Sequence, residues 1–151
     1  MIHLPKTLMA VLSLGLLSAA AHGQTTPAGL WKTIDDETKK EKSLIRITET
    51  NGMFTGKLEK LLDPGSKADA ICDKCTDERQ DKPLVGMALI KGVRLSDSDK
   101  ALWDGGEILD PANGKTYKVR LVPGDGGKTL GVRGYIGAPM IGRTQTWLRV
   151  E

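Results

Sequence analysis

Along most of this chain, apolar side chains return at every second position. The clearest run is 115–122, where Tyr117, Val119 and Leu121 alternate with Thr116, Lys118 and Arg120. A two-residue period belongs to a β-strand with one buried face. The same alternation marks 53–60, with Phe54, Gly56 and Leu58 opposite Thr55, Lys57 and Glu59. It marks 129–136 as well, with Leu130, Val132, Gly134 and Ile136 opposite Arg133 and Tyr135. Segments 29–35, 43–50, 84–95, 101–109 and 143–150 complete the series. Short polar stretches rich in Gly, Pro, Asp and Asn separate the strands, and Asn51-Gly52 is the strongest hairpin signal because both residues tolerate positive φ. One connection differs in kind. Residues 61–82 form a long polar segment that holds both cysteines, and loops of that length inside a domain are commonly functional or flexible.

Seven or eight short strands without a convincing helix predict an all-β antiparallel barrel or sandwich. Tight hairpins favour an up-and-down, lipocalin-like barrel of about eight strands, because closure removes unpaired edges. Composition agrees: 18 glycines stand against three Trp, two Tyr and one Phe, which suits strands joined by tight turns.

The first 23 residues have other chemistry. A short basic start ending at Lys6 precedes an apolar run over 8–21, and Ala21-His22-Gly23 offers small residues at a cleavage site. This is the anatomy of a secretory signal peptide, and the run is too short for a membrane-spanning helix. The expected product is a single soluble, monomeric domain over 24–151, in the periplasm or secreted. No cysteine follows the site to carry a lipid. Both histidines, His3 and His22, would leave with the leader, taking the commonest general base and metal ligand with them. Lys6 is the only charged residue in it, so the formal net charge of +3 barely changes. With no basic run longer than three residues, a nucleic-acid partner is not expected.

Several motifs in order resemble one known family. They are Gly29-Leu30-Trp31, the Asn51-Gly52 hairpin, Cys72-x-x-Cys75, Pro83-Leu84-Val85-Gly86-Met87, Trp103-x-x-Gly106-x-Ile108-Leu109-Asp110-Pro111, and Arg133-Gly134-Tyr135-Ile136-Gly137 leading to Gly142-Arg143-Thr144-Gln145-x-Trp147. Across essentially the whole of 24–151 this order resembles the secreted bacterial family catalogued as domain of unknown function 2147. The resemblance implies a small lipocalin-type barrel in which the Trp31 indole plugs the base under Arg149. It implies no activity and no catalytic residue.

Cys72-Asp73-Lys74-Cys75 is the most chemical-looking motif. Asp69, Asp73, Asp77 and Glu78 surround it, with Lys74 and Arg79 to offset them, a setting that disfavours the thiolate a redox dithiol needs. Two cysteines without histidine complete a zinc site only if carboxylates or a second chain contribute. In an exported protein the plain expectation is a disulfide pinning the long loop, contributing about 2 kcal/mol and open to mild reductants. Asp35-Asp36-Glu37 and Asp97-Ser98-Asp99 lack the spacing of a calcium loop and read as solvated turns. Gly131, Gly134 and Gly137 lack the strand-turn-helix setting of a phosphate loop.

Arg133, Tyr135, Arg143 and Trp147 carry the ligand-binding expectation. Arginines facing into a barrel can hold a carboxylate bidentately while aliphatic walls take an apolar tail. The alternative turns them outward over aromatic rings. The function expected first is therefore non-enzymatic binding of a small hydrophobic or amphiphilic molecule, with no cofactor and no metal. Second comes an envelope-protein interaction module with a filled barrel and a docking loop at 61–82. An enzyme is third, since histidine and any nucleophile motif are missing. Barrel interior volume separates the first two.

Overall fold

Eight strands follow one another in the order β1 (Gly29–Ile34), β2 (Glu41–Thr50), β3 (Met53–Leu61), β4 (Ala88–Leu95), β5 (Trp103–Asp110), β6 (Lys115–Gly124), β7 (Thr129–Tyr135) and β8 (Gly142–Arg149). The structure is a computed structural model and describes residues 25–151; the expected leader, 1–23, lies outside the described residues. Each strand pairs antiparallel with the next, and β8 pairs back to β1, closing the barrel. The expected all-β up-and-down barrel is thus the observed one. Among the described residues no helix is long and apolar enough to cross a membrane.

Alternation decides the inside. Ile45 and Ile47 on β2, Phe54 and Leu58 on β3, Val119 and Leu121 on β6, and Leu130 and Val132 on β7 are all buried. Their register matches, with Ile45 opposite Leu58, and Leu121 opposite both Trp103 and Val132. Phe54 meets Trp103 edge to face, with ring centroids 6.3 Å apart. Asn51 and Gly52 both take positive φ, as the primed hairpin turn requires.

Two strand expectations shift. β4 starts at Ala88 rather than at residue 84, because Gly86 takes φ +88° in a turn that Met87 N–H closes onto the Leu84 carbonyl. The long connection, 62–87, is also more ordered than its length suggests. Cys72 N–H donates to the Lys82 carbonyl and Asp81 N–H to the Cys72 carbonyl, both at 2.9 Å, in an antiparallel clasp at the Ile71–Pro83 bridge, and Leu84 N–H donates to the Ala70 carbonyl. This clasp lies on the outer wall of the barrel. Leu89 and Leu109 have the opposite parity to the inward Ile90 and Ile108, yet they are 6% and 2% exposed and join one apolar cluster with Cys72, Cys75 and Met87.

Candidate functional site

At one end, where both termini arrive, Trp31 is fully buried and its Nε1–H donates to the Pro27 carbonyl at 2.7 Å. The Arg149 guanidinium lies over the indole face, 4.2 Å from the ring centroid, within cation–π range. Among the described residues it has no carboxylate partner. Instead it donates to the Gly127, Ala28 and Thr26 carbonyls, and burial lowers its pKa from the ordinary arginine value. Gly29 is required here: its φ is +142°, and a Cβ would overlap Arg149 Nη1 and the Glu151 carbonyl. The Gly-x-Trp spacing therefore has a steric cause, since the strand must pass beneath the arginine that covers the indole.

Between this base and the other end the barrel is filled. Trp103, Trp147, Phe54, Val93, Leu121 and Leu130 are no more than 3% exposed. A cavity wide enough for water would leave accessible area on its lining side chains, so the space is occupied by the protein itself. Towards the far end the interior turns polar. Thr33 and Ser43 share a buried hydroxyl hydrogen bond of 2.7 Å. Trp147 Nε1–H donates to Gln145 Oε1, Gln145 Nε2–H donates to Asp36 Oδ2 at 2.9 Å, and Arg143 Nη1 lies 3.4 Å from the same oxygen. These contacts fasten the β1–β2 turn to β8, whose backbone pairing with β1 ends at Lys32 with Leu148.

The four residues expected to bind ligand are not brought to one pocket. Trp147 is core, opposite Leu130, and Arg143 sits at the rim with its side chain 68% exposed. Arg133 and Tyr135 face outward, because Leu130 and Val132 take the inward positions of the same strand. Register sets this pair apart from the filled interior: a two-residue period cannot place Val132 and Arg133 on one face. Outside, Arg133 Nε donates to the Pro139 carbonyl at 2.6 Å and its Nη1 to Thr144 Oγ1 at 2.9 Å. Directly across β6–β7 stands Arg120, whose guanidinium carbon is 5.8 Å from the Tyr135 ring centroid. Alternation places Arg120 on the polar face of its strand and assigns it no further role.

The covering loop supplies another constellation that spacing alone did not reveal. Arg79, 7% exposed, takes both oxygens of Asp77 and donates to the Ala88 carbonyl on β4 and Thr116 Oγ1 on β6. Bonding to Arg79 holds Asp77 down to about 2. Nothing but the pattern Asp-x-Arg hints at this in sequence. Two open clefts flank the loop. One, about 480 Å³, lies between Lys74, Thr76 and Asp77 and the stretch from Asn113 to Tyr117, with Ile136 at its edge; the other, about 450 Å³, lies between Glu78–Lys82 and Val85–Lys91.

Cys72 and Cys75 are bridged, with Cα atoms 5.4 Å apart. Both are buried, at 0% and 2%, which corrects the expectation of easy reduction. Without denaturant, alkylation after mild reductant should leave both cysteines unlabelled, and labelling should appear together with unfolding. Rapid labelling of the folded protein would show that the loop opens independently.

A profile of the family described as "Uncharacterized protein conserved in bacteria (DUF2147)" matches residues 29–149. Among solved structures, one from Helicobacter pylori is titled "Protein HP1028 from the human pathogen Helicobacter pylori belongs to the lipocalin family". It is 23% identical to this chain, covers 84% of each chain and superposes with a TM-score of 0.71, a likeness of fold. No curated protein matches. With the profile spanning every strand of a lipocalin-like barrel, this chain belongs to the bacterial family of domain of unknown function 2147.

Proposed function

We propose that this protein is a non-enzymatic binding module of the bacterial envelope that works through its outer surface rather than by carrying a molecule inside its barrel. The observation that carries this reading is the filled interior, where Trp31, Val93, Val119, Leu121 and Leu130 are each 0% exposed. A carrier needs space among such residues, and this barrel spends three tryptophans filling it. The envelope location is supported by the signal-like residues 1–23 and by a disulfide that suits an oxidising compartment. The outer wall in turn carries features a merely scaffolding surface does not need. They are the clasped loop with its two clefts, and an exposed apolar apex of Ile136, Met140 and Ile141 at 62%, 83% and 65%.

Titration with medium- and long-chain fatty acids, followed by indole emission and native mass spectrometry, tests the reading. The expected result is no saturable emission change and no one-to-one adduct. A stoichiometric adduct that shifts the emission of Trp103 or Trp147 would restore the carrier and remove the outer-surface reading.

A further inference from the structure

On the outer wall of β6–β7, Arg120 and Arg133 occupy directly opposed positions, with Lys118 opposite Tyr135 one step along. Like charges facing each other across an antiparallel pair are destabilising unless something neutralises them. Among the described residues no carboxylate forms an ion pair with Arg120, Arg133 or Lys118, although Glu107 is the cross-strand neighbour of Lys118. A second observation is independent of this. Arg120 Nε is buried and has no hydrogen-bond partner, the one such side-chain atom among the described residues. That atom is sealed against its neighbours, so the donors Arg120 can offer to a ligand are its Nη groups, which are neither sealed nor hydrogen-bonded.

We propose that Arg120 and Arg133 form an oxyanion site for a phosphate-type group, free or on a lipid headgroup. The proposal rests on the outer-surface reading above. Donor arithmetic favours a tetrahedral dianion over a carboxylate. Arg133 already spends Nε on Pro139 and Nη1 on Thr144, which holds its guanidinium in place with Nη2 left over. Arg120 lies over the Tyr135 ring and keeps both Nη groups. Those Nη donors, converging from two opposed guanidiniums, suit the oxygens of a tetrahedral phosphate. Two arginines with Lys118 also match a double negative charge. The bond from Arg133 to Pro139 ties the site to the 136–141 loop, so its apolar apex would stand next to a bound headgroup.

The test is a titration of the full chain with inorganic phosphate at constant ionic strength, read by the side-chain Nε–H resonances of isotope-labelled arginine and by the thermal midpoint. Saturable shifts at Arg120 and Arg133, and a midpoint that rises with phosphate but not with chloride, are expected. Arg120→Gln and Arg133→Gln should each weaken binding tenfold or more. Since Arg133→Gln also frees the loop, Arg120→Gln, which breaks no hydrogen bond, is the deciding variant. Vesicles of phosphatidylcholine with and without phosphatidylglycerol distinguish the source. Flotation with the anionic vesicles alone, lost in Arg120→Gln, identifies a lipid phosphate; a phosphate response without flotation identifies a free phosphate ester. Shifts that follow ionic strength only, or binding indifferent to Arg120→Gln, overturn the site. Such a failure leaves the outer-surface reading standing, because that reading turns on whether fatty acids enter the barrel.

Discussion

Trp31→Ala should lower the free energy of unfolding by about 3–5 kcal/mol, the range for truncating a fully buried tryptophan. The indole is 0% exposed, donates to Pro27 and carries Arg149 on its face, so its loss opens a void and also strands a guanidinium. Arg149→Ala should be costly for a related reason: the Gly127, Ala28 and Thr26 carbonyls lose their donor together. The two losses share one contact. Their double variant should therefore be less damaged than the sum of the singles, by roughly 0.5–3 kcal/mol. Arg149→Lys should not rescue, since one ammonium cannot reach three carbonyls held in a planar fork. Urea unfolding followed by far-ultraviolet dichroism measures all four. A Trp31→Ala variant as stable as the parent would remove the plug from the account of this fold.

Arg79→Ala should be the most damaging change in the covering loop, costing about 1.5–3 kcal/mol for its charge-assisted bonds to the Ala88 carbonyl and Thr116. Its signature is in pH. In the parent, Asp77 titrates near 2, below the ordinary aspartate value of 3.8, because Arg79 bonds its carboxylate. A depressed carboxylate contributes stability that is complete above the unfolded value and is lost as pH falls towards the folded one. The Asp77–Arg79 pair should thus hold through mild acid and fail only near pH 2. In Arg79→Ala, carbon-detected titration should move Asp77 up towards its ordinary value, with the remaining depression set by the backbone N–H of residue 79. An unchanged Asp77 would show that the backbone bonds of the turn, and not the guanidinium, set its acidity.

Strand positions were readable wherever one face of a strand is dry and the other wet. The runs 53–60, 115–122 and 129–136 alternate without interruption, and the observed strands begin at the same residues. Reading failed where burial came from the far side. Leu89 and Leu109 are outward by parity and dry because a loop distant in sequence covers them. Arg79 is buried beneath that loop, bonded to two strands that no spacing rule connects to it. Arg133 and Tyr135 show the same limit from the other direction. Alternation placed them together on one face, and only the closed register made that face the outside.

From its residues alone, then, this chain determined its class and its punctuation: seven or eight short strands, their turns and a paired cysteine motif, while the Gly-x-Trp plug came from family resemblance. These are local properties, set by side-chain period, by turn residues that accept positive φ, and by proximity along the chain. Tertiary structure decided which face of each strand is interior, whether the interior is open or filled, and which charges meet. The decisive case is Arg120 opposite Arg133, two like charges thirteen positions apart that neither residue's neighbours in sequence foretell. Register between strands is a pairwise quantity, fixed only when the barrel closes and every inward side chain must find room at once.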